Sequence, residues 1–121
     1  MQIAGHDADE LMSQVKARAE YRRVDQRYFD DALTGICNSL ESTLGAIDEV
    51  ADRPIGQLDP VETGILLLGY YELNSRPEVP YRVVIDEAVN LAKRFGAQDG
   101  HKYVNALLDR LSRNIRATER G

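Results

Sequence analysis

The sequence predicts an all-α protein, and three observations carry that prediction. Apolar residues recur at spacings of three and four along nearly the whole chain. No stretch alternates apolar and polar residues for long enough to require a strand. Helix start and stop residues punctuate the pattern, and the segments between them make a compact bundle of about five helices.

The first helix is expected from about Asp7 or Asp9 to about Tyr21, with Leu11, Met12, Val15 and Ala19 on one face and Asp7, Asp9 and Glu10 at its positive end. A second runs from about Asp25 to about Ala51, carrying Tyr28, Phe29, Leu33, Ile36, Leu40, Leu44, Ile47 and Val50 inward. At 1.5 Å per residue it is about 40 Å long. Arg53-Pro54-Ile55-Gly56-Gln57-Leu58 breaks the pattern and forms the main internal connection. Asp59-Pro60-Val61-Glu62 then supplies a capping carboxylate, a proline at the first helical position and a glutamate at the third. The helix it starts, from Val61 to Leu73, is apolar around most of its circumference and is expected at the centre of the C-terminal helices. After the two-proline turn Asn74–Pro80, Tyr81 to Phe95 forms the next helix, with Lys93 and Arg94 in its last turn and Gly96 as a left-handed stop. Asp99 caps the last, which ends near Arg116 with Val104, Leu107, Leu108, Leu111 and Ile115 inward and Arg110, Arg113 and Arg116 outward.

Composition narrows the functional classes. With 121 residues, 43% of them apolar, the chain suits one globular domain. Its longest apolar run, Gly64 to Tyr71, is about a third of a bilayer span, and its first residues lack the layout of a signal peptide, so a cytoplasmic protein with no membrane segment is expected. One cysteine, Cys37, and two distant histidines, His6 and His101, offer neither a disulfide nor a metal-ligand spacing, and Cys37 is expected in the core beside Ile36. The carboxylate pairs Asp30-Asp31, Asp48-Glu49 and Asp86-Glu87 are adjacent in sequence, so they diverge by about 100° on a helix and suit solvated faces better than catalysis. No enzyme site and no cofactor site is expected. The net charge of −5 hides an asymmetry: residues 1–80 carry 7 basic against 15 acidic residues, and residues 81–121 carry 8 against 5.

One segment offers a binding mechanism. In Ala97-Gln98-Asp99-Gly100-His101-Lys102-Tyr103 a helix start, an ammonium group, an imidazole and a phenol ring fall within about one turn, a combination suited to phosphate and to an unpaired base. The plainer alternative is that Asp99 only caps, His101 bonds to Asn105 and Tyr103 covers the bundle edge.

Larger patterns weigh on that choice. The runs Leu58-Asp59-Pro60-Val61-Glu62, Tyr71-Glu72-Leu73, Val79-Pro80-Tyr81-Arg82-Val83-Val84-Ile85-Asp86-Glu87-Ala88-Val89-Asn90-Leu91-Ala92-Lys93-Arg94-Phe95-Gly96 and His101-Lys102-Tyr103-Val104-Asn105, together with Val24-Asp25, Tyr28-Phe29 and Gly35, closely resemble the NusB family of bacterial transcription antitermination factors. The resemblance implies one all-helical domain of two small subdomains, an N-terminal part over residues 1–52 and a C-terminal bundle over residues 53–121. It implies a non-enzymatic protein without cofactor that pairs with ribosomal protein S10 (NusE), binds boxA RNA of nascent ribosomal RNA transcripts and serves the RNA polymerase antitermination complex. Position by position, it places Asp99, Lys102 and Tyr103 against RNA, with Gln98 and His101 as neighbours, and the helix start at Glu62 on the S10-facing side.

Family members open with an arginine-rich stretch and a first helix for which this sequence shows only Gln2-Ile3-Ala4-Gly5, resembling that helix's tail. Two expectations follow: weaker RNA binding than with such a leader, and a homodimer or larger species burying uncovered apolar positions such as Leu11, Val15, Phe29 and Leu33. The alternatives are a helical protein-interaction module without significant RNA binding, and the NusB-like front domain of ribosomal RNA cytosine methyltransferases, for which the chain is too short to add a catalytic half.

Overall fold

The computed structural model describes residues 2–3, 5–52 and 54–120. Among them run seven helices: α1 (Ala8–Tyr21), α2 (Gln26–Asn38), α3 (Leu40–Val50), α4 (Pro60–Ser75), α5 (Tyr81–Phe95), α6 (Gly100–Ile115) and the short α7 (Ala117–Arg120). The all-α class holds, with more helices than the five expected. Two two-residue strands, β1 (Gln2–Ile3) and β2 (His6–Asp7), pair antiparallel where the sequence suggested the tail of a helix. Ala4 of that stretch, and Arg53 of the expected break, lie outside the described residues. Gly5 permits the reversal by taking φ +86°, a conformation costly to any residue with a β carbon.

The expected 40 Å helix is two helices. Ser39, between α2 and α3, leaves helical geometry at φ −116° and ψ 17°. Its Oγ and its amide both donate to Gly35 O, at 2.8 and 3.2 Å, so the serine satisfies the last turn of α2 instead of extending it. Periodicity survives such a bend, because the inward face is kept on both sides. Cys37, expected in the core, is exposed beside the buried Ile36.

Helix α4 is the centre. Ile65, Leu66 and Leu67 are completely buried and Leu68 is 1% exposed, each contributing about 1.5–3 kcal/mol, because α1, α2, α3, α5 and α6 all pack around this helix. Asp59 caps it, accepting from Val61 N at 2.7 Å, with Pro60 in the first turn. Gly64 lets α1 approach closely, since a β carbon there would stand 2.7 Å from Gln14 Cβ. Leu11 and Val15 are therefore covered by α4, and Phe29 and Leu33 are half-buried against the core. The uncovered apolar face from which a homodimer was expected is not present at these positions.

Polar ties fix the arrangement. Glu72 of α4, 2% exposed, accepts two hydrogen bonds from Arg22 just after α1, at 2.7 and 2.8 Å, and one from Tyr28 Oη of α2, at 2.5 Å. Arg22 also pairs with Glu87 of α5. Burial, and then the Glu72 carboxylate beside it, hold the Tyr28 phenol well above its ordinary range, so it stays a donor. Arg116, expected outward, is 6% exposed and donates to the carbonyls of Glu72, Leu73, Arg76 and Val79, closing the end of α4 and the following turn. It lies beyond the last turn of α6, four residues after the buried Ser112, which brings its side chain to the edge of the inward face.

The start of α6 is seated on α4 by another carboxylate. Glu62 is 6% exposed, and a β carbon on Gly100 would stand 1.5 Å from its Oε1, so any larger residue at the first position of α6 has to displace the Glu62 carboxyl group. Two outcomes are expected in urea unfolding. Glu72→Ala leaves Arg22 without its buried partner and costs about 3–5 kcal/mol, and a loss below about 1 kcal/mol would contradict the junction described here. Gly100→Ala costs about 1–3 kcal/mol, with losses for Gly100→Ala and Glu62→Ala that fall short of additive by at least about 0.5 kcal/mol; additive losses would show that Glu62 does not set the space at Gly100.

Candidate nucleic-acid interface

The segment singled out in the sequence lies where α5 ends and α6 begins, and its local geometry differs from expectation in two respects. Gly96 does not stop α5 in the left-handed region: it is extended, at φ −84° and ψ 176°, and is needed because a β carbon would stand 2.7 Å from Ala92 O. The left-handed residue is Asp99, at φ +66°, a conformation aspartate tolerates better than most residues. That backbone turns its side chain away from the helix, so Asp99 does not cap α6. Its Oδ1 lies instead 3.4 Å from Lys102 Nζ, in an exposed pair of the kind worth about 0–1 kcal/mol.

The carboxyl group of Glu62 reaches the beginning of α6 from within the protein. This arrangement disfavours a phosphate seated end-on at the helix start, because the Glu62 side chain already occupies the space beside Gly100. It also places Glu62 beneath the surface, so the glutamate does not present its own carboxylate as an exposed contact for S10. What the segment shows to solvent is Gln98, Asp99 and Lys102, with His101 half-exposed. Tyr103 is half-buried against the core with its hydroxyl buried, so its ring covers the bundle edge, as the plainer alternative had it. The structure thus brings Gln98, Asp99, His101 and Lys102 to one turn and sets Glu62 and Tyr103 beneath or beside it.

A second group was not singled out in the sequence. The ends of α1 and α5 lie side by side, where Tyr21 meets Phe95 edge-on with ring centroids 4.9 Å apart. The Arg18 guanidinium stacks 4.1 Å over the Phe95 ring, and that of Arg94 lies 5.3 Å from the Tyr21 centroid. Tyr21 is 48% exposed and separates two surface grooves of about 620 and 650 Å³. The sequence signal was the basic run Arg22-Arg23 at one helix end and Lys93-Arg94 at another, but only the fold shows that the two ends meet.

No helix among the described residues is long and apolar enough to cross a membrane. A sequence profile of the NusB family matches residues 2–113. Among curated relatives, the chain is 43% identical over 118 residues to the transcription antitermination protein NusB of Nitrosococcus oceani, covering 98% of this chain and 79% of that protein. It is 44% identical over 119 residues to the protein of the same name from Nitrosospira multiformis, covering 98% and 75%, and 41% identical over 117 residues to that of Thiobacillus denitrificans, covering 97% and 81%. Relatives this similar, matched over nearly the whole chain and most of their own length, show that the chain belongs to the NusB family.

Proposed function

We propose that this chain acts in transcription antitermination by joining ribosomal protein S10 (NusE) on boxA RNA of nascent ribosomal RNA transcripts, within the RNA polymerase antitermination complex. The observation that carries the reading is its similarity, over 98% of its length, to relatives named as transcription antitermination proteins. The exposed turn at the start of α6 supports it in detail. Lys102 offers phosphate an ammonium group that its exposed partner Asp99 holds only weakly, Gln98 and His101 offer hydrogen bonds beside it, and Tyr103 shows part of its ring at the edge. Asp99 opposes binding by repelling phosphate and by occupying Lys102. The S10-facing side is at the start of α4, where Asp59 is exposed and Pro60 is half-exposed, with Glu62 beneath them as a support.

Fluorescence anisotropy with a boxA-like single-stranded RNA, with and without S10, tests this. Lys102→Gln is expected to weaken binding severalfold and to reduce the slope of log K against log salt by about 0.7, the share of one phosphate contact to a single strand. Asp99→Asn, which suits the left-handed backbone equally well, is expected to tighten it severalfold, and S10 is expected to tighten it further. Affinity that ignores both substitutions removes the α6 start from the interface. RNA binding that is absent with and without S10, with S10 still bound, makes the chain a protein-interaction module.

A further inference from the structure

The edge where α1 and α5 end has more positive charge than its structural tasks use. Five cations, Arg18, Arg22, Arg23, Lys93 and Arg94, line the two grooves beside Tyr21, against two carboxylates, Glu20 and Glu87, in a chain of net charge −5. Arg22 is committed to Glu72 and Glu87. Among the described residues, Arg18, Arg23, Lys93 and Arg94 form no ion pair. The two helix C-termini explain part of this, but each presents only about half a negative charge, so two ends do not absorb four cations.

The ring at the centre is as unusual as the charge around it. Tyr21 and Val83 are the large apolar side chains exposed among the described residues, and Tyr21 is held upright by Phe95 at its edge and by Arg94 alongside. The backbone adds a further observation. The non-glycine residues with positive φ in the described chain are Arg23, at +54°, just after α1, and Asp99, at +66°, just before α6. Arg23 lines one of the grooves of this edge and Asp99 follows the end of α5 by four residues; for arginine that conformation is uncommon and costs energy that the surroundings must offset.

From this geometry we infer that the edge formed by Arg18, Tyr21, Arg23, Lys93, Arg94 and Phe95 is a second contact site for single-stranded RNA, in which a base stacks on Tyr21 and the cations take the adjoining phosphates. The inference rests on the reading that the chain binds RNA, and it extends the path away from the α6 start. Phe95 and Asp99 are four residues apart, so their Cα atoms are separated by at most about 14 Å, and one short strand reaches both. An exposed ring flanked by cations suits a single strand in particular, because stacking needs an unpaired base and any base supplies a π face.

The test is anisotropy of a labelled, unstructured 12-nucleotide RNA with the whole chain at two salt concentrations, using Tyr21→Ala, Tyr21→Phe, Arg94→Gln and Lys102→Gln. Tyr21→Ala is expected to weaken binding about tenfold and Tyr21→Phe to stay within about twofold of the unaltered chain. Arg94→Gln is expected to reduce the salt slope by about 0.7. Thermal melting checks that each variant is folded, and Arg94→Gln decides the matter if Tyr21→Ala is not. If Lys102→Gln weakens binding while Tyr21→Ala and Arg94→Gln leave it unchanged, the second site is overturned and the α6 start stands. The reverse pattern supports the second site and removes the α6 start. Duplex RNA, or polyglutamate of equal charge, binding as tightly as the single strand shows attraction by charge alone and overturns the stacking site.

Discussion

The carboxylate of Glu72 is the constraint on which the rest of the molecule depends. Helix α4 has no polar face on which to place an acid, and Glu72 sits on its buried side, where an unpaired charge costs several kcal/mol. The fold satisfies it with donors from two other helical regions, the guanidinium of Arg22 after α1 and the phenol of Tyr28 on α2. Arg22 passes the connection to Glu87 on α5. One acid thereby determines where α1 ends relative to α5, and the edge bearing Tyr21, Arg94 and Phe95 exists only because those two ends meet. Arg116 completes the other side of the same turn of α4, adding guanidinium donors to the Glu72, Leu73 and Arg76 carbonyls at the helix end.

A similar logic places the α6 start. Glu62 is buried against Gly100, which fixes the first turn of α6 on the first turn of α4 and leaves the next exposed charge, Lys102, pointing outward beside Asp99. The surface that results is not strongly basic. It combines one ammonium group with an opposing carboxylate at the α6 start, and unpaired arginines with an exposed ring at the ends of α1 and α5. For an acidic chain, such local arrangement rather than net charge determines where a polyanion is met.

Much of this was legible from the residues. Asp59-Pro60 marked the start of α4, the all-round apolar character of Ile65 to Leu68 marked its central place, and Tyr81 and Phe95 are the observed limits of α5. What was not legible has a common cause. The break at Ser39 keeps the inward face in register, so periodicity does not register it. Asp99 occupies the sequence position of a cap, but its positive φ directs the side chain elsewhere. Arg116 and Glu62 are charged residues at helix ends, where sequence alone expects solvent, and their burial follows from partners dozens of residues away. The turn at the start of α6 was singled out through its residues and family resemblance, whereas the α1–α5 edge depends on a tertiary meeting that no local pattern encodes.

The proposed RNA path follows one edge of this molecule, made by the ends of α1 and α5 and the start of α6. The most direct measurement is nuclear magnetic resonance mapping of the isotopically labelled chain during titration with single-stranded RNA. Amide shifts are expected to concentrate at residues 18–23 and 93–103. Shifts concentrated on the outer faces of α2 and α3, with those two stretches unmoved, would contradict it.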